Sequence, residues 1–224
     1  MVVNPILRGL LGLETDALSR TVTLAPTLPA DWSSFAVRGL RVGDAALDVA
    51  FRRPSDEMQF EIKRSGSGEC FLVLQPAISL RAEVSSVELN GRALPFHLEK
   101  NETDQHLQMR FAVSNGTNTL RIRLRSDFGV AYSAALPLLG QRSEGLRILS
   151  ETWSDAKDRL TLAVEGVPGT IYSFAYFRGE ELASVEGASL SRSDRGSGHF
   201  TVTMPPDSSP ESVRSKITLQ FARK

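Results

Sequence analysis

Short stretches in which apolar and polar side chains alternate run through most of this 224-residue chain, and most of them end at turn residues. Residues 107–113 and 120–125 are clear examples, with Asn115-Gly116 between them. Because successive side chains of a β-strand point to opposite faces, each stretch would present one apolar face and one polar face. The pattern therefore predicts an all-β protein whose strands are mostly buried on one side.

Two dipeptides predict tight hairpins. Asn90-Gly91 and Asn115-Gly116 each follow an alternating stretch, and Asn and Gly tolerate the positive φ that a type I′ turn needs. We therefore expect residues 107–125 to form one long hairpin. Helix signals are nearly absent outside residues 6–13, and many short strands with turns between them predict an antiparallel β-sandwich. The expected strands are residues 21–25, 36–42, 46–53, 58–63, 70–74, 84–89, 94–98, 107–113, 120–125, 146–152, 160–164, 171–177, 200–204 and 217–221.

Residues 126–145 interrupt the alternation. This stretch holds Pro137 and several glycines among Ala-Leu runs, and the alternation resumes after it. At 224 residues the chain is long enough for one large all-β domain or two small ones. We expect two packed β-sandwich sub-units with very little helix. Their division would be a junction segment 1–19, a β-sandwich 20–126, a connector 127–145 and a second β-rich sub-unit 146–224.

Positive and negative charges balance, with 26 Lys plus Arg against 26 Asp plus Glu. No overall field would hold nucleic acid or an anionic membrane, so neither is expected as a partner. The basic row Arg121, Arg123 and Arg125 falls on the polar face of one predicted strand, and we interpret it as a solvated surface. The sequence shows no membrane span of roughly 18 apolar residues and no secretion signal. Location stays open between the cytoplasm and, for an exported parent protein, the periplasm or the exterior.

Residues that commonly carry chemistry form no recognisable catalytic or metal-binding motif in this sequence. It contains no Gly-rich phosphate loop, His-Glu-x-x-His motif, nucleophile elbow or cysteine cluster. Cys70 lies in an apolar run and is interpreted as a buried, inert thiol. His97 and His106 flank one loop, but two ligands without a third do not define a structural zinc site, and His199 is expected at the surface. We predict no catalytic, cofactor-binding or metal-ligating residues.

Groups that could act on sugars or bind them are few. Glycoside hydrolysis needs two carboxyl groups across the scissile bond, and the Asp and Glu residues here fall mainly in predicted turns or on polar strand faces. A stand-alone hydrolase is therefore disfavoured. Trp32, in a loop, and Trp153, at the edge of a strand, offer flat apolar rings that could stack on a sugar. We interpret both first as packing residues and keep both as candidate sugar-stacking residues.

The beginning of the chain resembles a known domain junction. The phrases that carry the resemblance are RGLLGLETDA at 8–17, TVTLAPTLPADW at 21–32 and VRGLRVG at 37–43. They resemble the segment after the catalytic (α/α)6 barrel of bacterial six-hairpin glycoside hydrolases, such as glycogen-debranching-like amylo-α-1,6-glucosidases and α-L-rhamnosidases. In that family a Gly-Leu-Leu-Gly-x-Glu phrase leaves the last barrel helix. A strand ending in Ala-Pro-x-Leu-Pro-x-x-Trp then begins the C-terminal β-sandwich.

The resemblance implies a non-catalytic C-terminal accessory domain in carbohydrate metabolism, which packs on a catalytic barrel and stabilises it. The barrel's catalytic carboxylates have no counterpart in this sequence, and no cofactor is implied. The partner would be an (α/α)6 barrel of the same or a neighbouring polypeptide, contacted through Leu10, Leu11, Leu13 and Trp32. Without the barrel, the N-terminal segment would mediate self-association or fold back on its own sandwich. The alternative function is a carbohydrate-binding module that holds polysaccharide near the catalytic domain.

Overall fold

The structure is a computed structural model that describes residues 5–134, 137–140, 143, 145–193, 196–206 and 211–222. Over these residues the chain forms twenty β-strands and one short π-helical turn, Pro5–Leu10. The all-β, sandwich-type prediction is confirmed. The chain divides into two compact units, Met1–Asp127 and Phe128–Lys224, each with its own pair of sheets. Within the described part, no helix is long and apolar enough to cross a bilayer.

The first unit contains two sheets of six strands each. Sheet A consists, in spatial order, of β1 (Glu14–Asp16), β2 (Thr21–Leu24), β6 (Phe71–Leu74), β11 (Asp104–Ala112) and β10 (His97–Lys100), with β7 (Ala77–Ser79) also paired to β11. Sheet B consists of β3 (Ser34–Val42), β4 (Ala45–Arg52), β5 (Glu57–Gly66), β12 (Gly116–Arg125), β8 (Glu83–Leu89) and β9 (Arg92–Ala93). Neighbouring strands are antiparallel, except that β2 and β6 run parallel.

One hydrophobic cluster holds the two sheets of the first unit together. Alternate residues of the central strands are almost fully buried, as the periodicity of 2 in the sequence predicts. Leu72 and Leu107 of sheet A belong to the same cluster as Phe51 and Phe60 of sheet B. The Phe51 and Phe60 rings lie 4.9 Å apart between centroids. Since a fully buried side chain of this size contributes about 1.5–3 kcal/mol, the cluster is the main source of this unit's stability.

The predicted hairpin over residues 107–125 is wrong. β11 belongs to sheet A and β12 to sheet B, so the residues between them form an arch that carries the chain from one sheet to the other. Alternation tells which face of a strand is buried, but it does not tell which strand is its neighbour. By contrast, the hairpin at Asn90-Gly91 is confirmed, because Leu89 pairs with Arg92 and the two turn residues have φ values of 53° and 76°.

Asn118 holds the arch in place. Its side chain is 1% exposed and lies among the apolar residues of β12. Its Nδ2 donates to the Ser114 carbonyl at 2.7 Å, and its Oδ1 accepts from the Ser114 N–H at 3.2 Å and from Asn90 Nδ2 at 3.2 Å. A buried amide is tolerated only when its polar atoms are paired, so these bonds give the crossing a defined shape.

Two other predicted segments differ from the structure. Residues 94–96 separate β9 from β10, so the strand predicted over 94–98 begins only at His97. Pro95 has no backbone N–H to donate, which accounts for the break. Inside the predicted connector, residues 129–131 form β13 (Gly129–Ala131). Residues 135–136, 141–142 and 144 of that connector lie outside the described residues.

The second unit has two antiparallel sheets of four strands. Sheet C runs β13, β16 (Ile171–Phe177), β19 (Gly198–Thr203) and β18 (Ser189–Arg192), and sheet D runs β14 (Arg147–Trp153), β15 (Arg159–Gly166), β20 (Val213–Phe221) and β17 (Leu182–Glu186). Aromatic rings dominate its core. Phe174 and Phe200 stack at 4.9 Å, and Phe128 meets the edge of Phe221 at 4.8 Å.

Tyr176 packs so closely against β19 that it requires a glycine there. A Cβ atom at Gly198 would lie 2.6 Å from the Tyr176 hydroxyl and 2.4 Å from the Ser191 carbonyl oxygen. Real Cβ contacts are not this short, so any other residue at this position would displace the ring or the neighbouring strand. The glycine lets the large tyrosine ring lie almost directly on the backbone of the sheet.

Replacing Asn118 tests the role assigned to the arch. We expect Asn118→Ala to lower the free energy of unfolding by about 1–3 kcal/mol, because it removes the buried amide together with its hydrogen bonds to Ser114 and Asn90. Asn115→Ala, at an exposed position of the same arch, is the matched control and should change stability by less than about 0.5 kcal/mol. Urea unfolding followed by circular dichroism gives both values. Equal effects of the two substitutions would contradict the assignment.

Candidate functional site

The N-terminal segment is fastened to the end of β2. The Ala25 N–H donates to the Leu11 carbonyl at 2.9 Å, and the Thr27 N–H donates to the Leu10 carbonyl at 2.9 Å. Leu11 is 4% exposed and belongs to the core cluster of the first unit. The π-helical turn that precedes it is therefore attached to sheet A by both backbone bonds and apolar packing.

The four predicted interdomain residues differ in how far they are covered. Leu11 is buried within the first unit itself, Leu13 is partly buried against the same core, and Leu10 is half-buried. Trp32 is 40% exposed, in a turn closed by its own N–H and the Pro29 carbonyl. Leu11 and Leu13 therefore pack on the core of the first unit, whereas Trp32 stays exposed.

Two exposed apolar side chains near this segment were not predicted. Ile6 is 42% exposed on the π-helical turn, and Leu18 is 98% exposed in the turn between β1 and β2. Their exposure depends on the folded path of the chain. Leu18 lies in a polar turn in which Asp16 Oδ1 accepts from the Leu18 N–H at 2.9 Å, and this turn directs its side chain into solvent.

The two tryptophans named as sugar-stacking candidates differ strongly. Trp153 is only 9% exposed and stacks on Phe221 with 5.5 Å between centroids. Its Nε1 donates to Glu151 Oε1 at 3.1 Å. Trp153 is thus a core residue of the second unit, whereas Trp32 keeps part of its ring open to solvent.

The outer face of sheet B carries a shallow depression of about 250 Å³. Strand register explains its shape, because two adjacent rows of outward-facing side chains run across β4, β5 and β12 there. One row has long side chains and the next has two short ones, which leaves a step in the surface. The long row is Arg52, Gln59 and Arg121, and the neighbouring row is Ala50, Glu61 and Thr119.

The charges around the depression are unevenly paired. Glu61 Oε1 lies 3.0 Å from Lys63 Nζ, and Arg121 Nε lies 3.9 Å from Glu57 Oε1. Arg52 is exposed, and no ion-pair or hydrogen-bond partner for its guanidinium is found among the described residues. The sequence indicated only the basic row on β12. The depression requires the registers of three strands, which sequence patterns do not supply.

The histidines and Cys70 lie apart from this depression. His97 is opposite Gln108 in the ladder between β10 and β11, and His106 Nδ1 lies 3.1 Å from the Gln75 carbonyl oxygen. No group of three or more metal-ligating side chains occurs in the part of the chain that the structure describes. Cys70 is 1% exposed, and burial raises the pKa of its thiol, with Arg64 opposing that effect.

Glu165 and Asp16 have clearly lowered pKa values. The Ser212 hydroxyl, 2.5 Å away, lowers the pKa of Glu165 most, and Arg147 and Arg214 add to the effect. The pKa of Asp16 is lowered by the Ser19 hydroxyl and by backbone N–H groups. Both carboxylates are therefore stabilised in the ionised form, which suits an acceptor of hydrogen bonds rather than a proton donor.

The fold places the chain in the class of all-β proteins built from sandwiched antiparallel sheets. No protein-family model and no curated protein matches the sequence. Among solved structures, the chain is similar to a cycloalternan-forming enzyme from Listeria monocytogenes in complex with pentasaccharide substrate, at 10% identity and a TM-score of 0.36. The match covers 90% of this chain and 21% of the enzyme, so the chain spans about a fifth of that enzyme's length. The likeness is weak.

Leu11 and Leu18 form a matched pair for testing the N-terminal segment. We expect Leu11→Ala to lower the free energy of unfolding by about 2–5 kcal/mol, because it opens a cavity in the core. Leu18→Ala, at an almost fully exposed position, should change it by less than about 0.5 kcal/mol. Thermal and urea unfolding measure both. An unchanged stability of the Leu11→Ala variant would mean that this segment does not contribute to the core.

The lowered pKa of Glu165 predicts that the stability of the fold depends on pH. Because the folded pKa lies below the ordinary value of 4.5, its stabilising effect is complete above that value and disappears as the pH falls through the folded pKa. Wild type should therefore exceed Glu165→Gln in urea midpoint at pH 7, and the difference should shrink as the pH falls below 4.5. Glu186→Gln, at an exposed position on β17 of the same sheet, is the control. A difference that stays constant from pH 7 to pH 3 would contradict this role of Glu165.

Proposed function

We propose that this chain is a non-catalytic C-terminal accessory β-sandwich of a glycoside hydrolase, and that it packs on and stabilises a catalytic (α/α)6 barrel. One observation carries the proposal. The two phrases that resemble the family junction, residues 8–17 and 21–32, are joined by backbone hydrogen bonds between Leu10 and Thr27 and between Leu11 and Ala25. A junction must have this rigidity if it is to hold two domains in a fixed orientation.

Three exposed apolar side chains around the junction are available for the proposed docking. Ile6, Leu18 and Trp32 remain uncovered on the N-terminal turn, the β1–β2 turn and the β2–β3 loop. A standard protein interface buries about 800 Å² per partner, and apolar area contributes about 25 cal/mol per Å² before the costs of association. Residues that face a barrel would be apolar, exposed and unnecessary for the fold of the isolated chain. Ile6, Leu18 and Trp32 are apolar and exposed.

The lowered pKa values of Asp16 and Glu165 make neither of these two carboxyl groups suitable as a general acid. A glycosidase acid must hold a proton near neutral pH, which requires a raised carboxyl pKa. These two groups are shifted in the opposite direction. Each carboxylate accepts a hydrogen bond from a serine hydroxyl, that of Ser19 for Asp16 and that of Ser212 for Glu165.

Purified chain should show no turnover of aryl glycosides or α-glucans above a matched blank. The genomic sequence upstream of Met1 should encode helical hairpins, and the barrel expressed from it should melt at a higher temperature with this chain than without it. Replacing Ile6 and Trp32 together with Ser should reduce that stabilisation while leaving the melting temperature of the isolated chain unchanged. Leu138→Ser, at an exposed position of the second unit, serves as the control.

Three results would count against the proposal. Turnover that is abolished by one Asp or Glu substitution would make the chain an enzyme. The absence of helical hairpins both upstream of Met1 and in the neighbouring reading frames would leave the proposal without its partner. Retardation in a polysaccharide gel that depends on Trp32 would favour the alternative of a carbohydrate-binding module, because Trp32 is the partly exposed tryptophan of the described chain.

A further inference from the structure

The depression on the outer face of sheet B has no part in the proposed docking, and its geometry suits a small ligand. Neighbouring strands lie about 4.8 Å apart, so the Cα atoms of Arg52 and Arg121 are roughly 10 Å apart, on either side of Gln59. The short side chains of Ala50 and Thr119 lie in the adjacent row, so the surface there is lower than beside the two arginines. A volume of about 250 Å³ gives room for one sugar ring and not for an enclosed chain of them.

The charge of the depression favours an anion. It contains two guanidinium groups and one carboxylate, that of Glu61, which already lies 3.0 Å from Lys63 Nζ. The guanidinium of Arg121 is 3.9 Å from its carboxylate neighbour, a long separation, and Arg52 has no partner among the described residues. A guanidinium presents parallel N–H donors that match the two oxygens of a carboxylate. Arg52 is therefore available to bind a carboxylate without first losing another partner.

The remaining polar groups favour hydroxyls over an ammonium group in the rest of the ligand. Glu61, Gln59 and Thr119 offer oxygen acceptors along the floor and one side. An amino acid would bring its ammonium group toward Glu61, where Lys63 already places a positive charge at 3.0 Å. Hydroxyl groups donate to the same oxygens without this repulsion, and they accept from the second N–H of Gln59 Nε2, whose first N–H donates to Glu57 Oε1 at 3.4 Å.

We propose that this depression binds a single carboxylate-bearing sugar unit, with the carboxylate on Arg52 and Arg121 and the ring hydroxyls on Glu61, Gln59 and Thr119. The site is open and shallow, so the binding is weak and sensitive to salt. It lies on different residues from the docking surface of the proposed function. Either proposal can therefore fail without the other.

Methyl glucuronide and methyl glucoside provide a matched pair of probes, since they differ only in the carboxylate. Ligand-observed NMR at low salt should give a dissociation constant on the order of 1 mM for the glucuronide and binding roughly tenfold weaker for the glucoside. Arg52→Gln should remove this preference. Arg125→Gln, on the same face of β12 but outside the depression, should keep it. Both variants should melt at the wild-type temperature, because both arginines are exposed.

Four results would overturn the proposal. These are equal binding of the two methyl glycosides, a preference that survives Arg52→Gln, no binding of the glucuronide at 50 times its expected dissociation constant of roughly 1 mM, and displacement by equimolar acetate. The last would reduce the site to a general anion site. Cross-peak shifts at residues 50, 59 and 119 in the nitrogen–proton spectrum should accompany glucuronide binding, and shifts confined to other parts of the chain would also contradict the assignment.

Discussion

The first unit depends on the arch between β11 and β12. β11 pairs with β6, β7 and β10 in sheet A, and β12 pairs with β5 and β8 in sheet B, so the arch joins the central strands of the two sheets. Residues 114–117 of the crossing are exposed, and the backbone N–H and C=O groups of Ser114 lie outside both sheet ladders. Asn118 bonds to both of these Ser114 groups from a position on β12 where the alternation predicts an apolar side chain. One buried amide thereby fixes how the two sheets are connected.

Sequence patterns predicted what each strand buries but not which strand lies beside it. Residues 58–63 and 120–125 alternate clearly, and both are strands with the expected buried faces. The dipeptides Asn90-Gly91 and Asn115-Gly116 look equivalent in sequence, yet the first closes a hairpin and the second lies in an arch. The difference depends on Asn118, which bonds to the arch and to Asn90, and on long-range pairing. Neither is a local property.

The candidate sites show the same limit. Leu10, Leu11 and Leu13 could be chosen from the junction phrase, but their burial could not, because it depends on Ala25 and Thr27 returning to the same segment. The depression on sheet B is set by residues from three strands that meet only through register. The basic row on β12 is a weak indication of the depression in the sequence, because arginines on the polar face of a strand need either ion-pair partners or solvent. Arg52 lies on β4, and no sequence pattern connects it with the basic row on β12.

The parallel pairing of β2 with β6 has a consequence for the order of assembly. Between them in sequence lie β3, β4 and β5, which belong to the other sheet. Those three strands form consecutive antiparallel neighbours and close short loops, whereas the pairing of β2 with β6 requires the closure of a long loop at a larger entropic cost. The bonds of the N-terminal segment to Ala25 and Thr27 are local by comparison, so they do not depend on that closure. A nascent chain would therefore attach this segment to β2 first, and sheet A would be completed only when β6 pairs with β2.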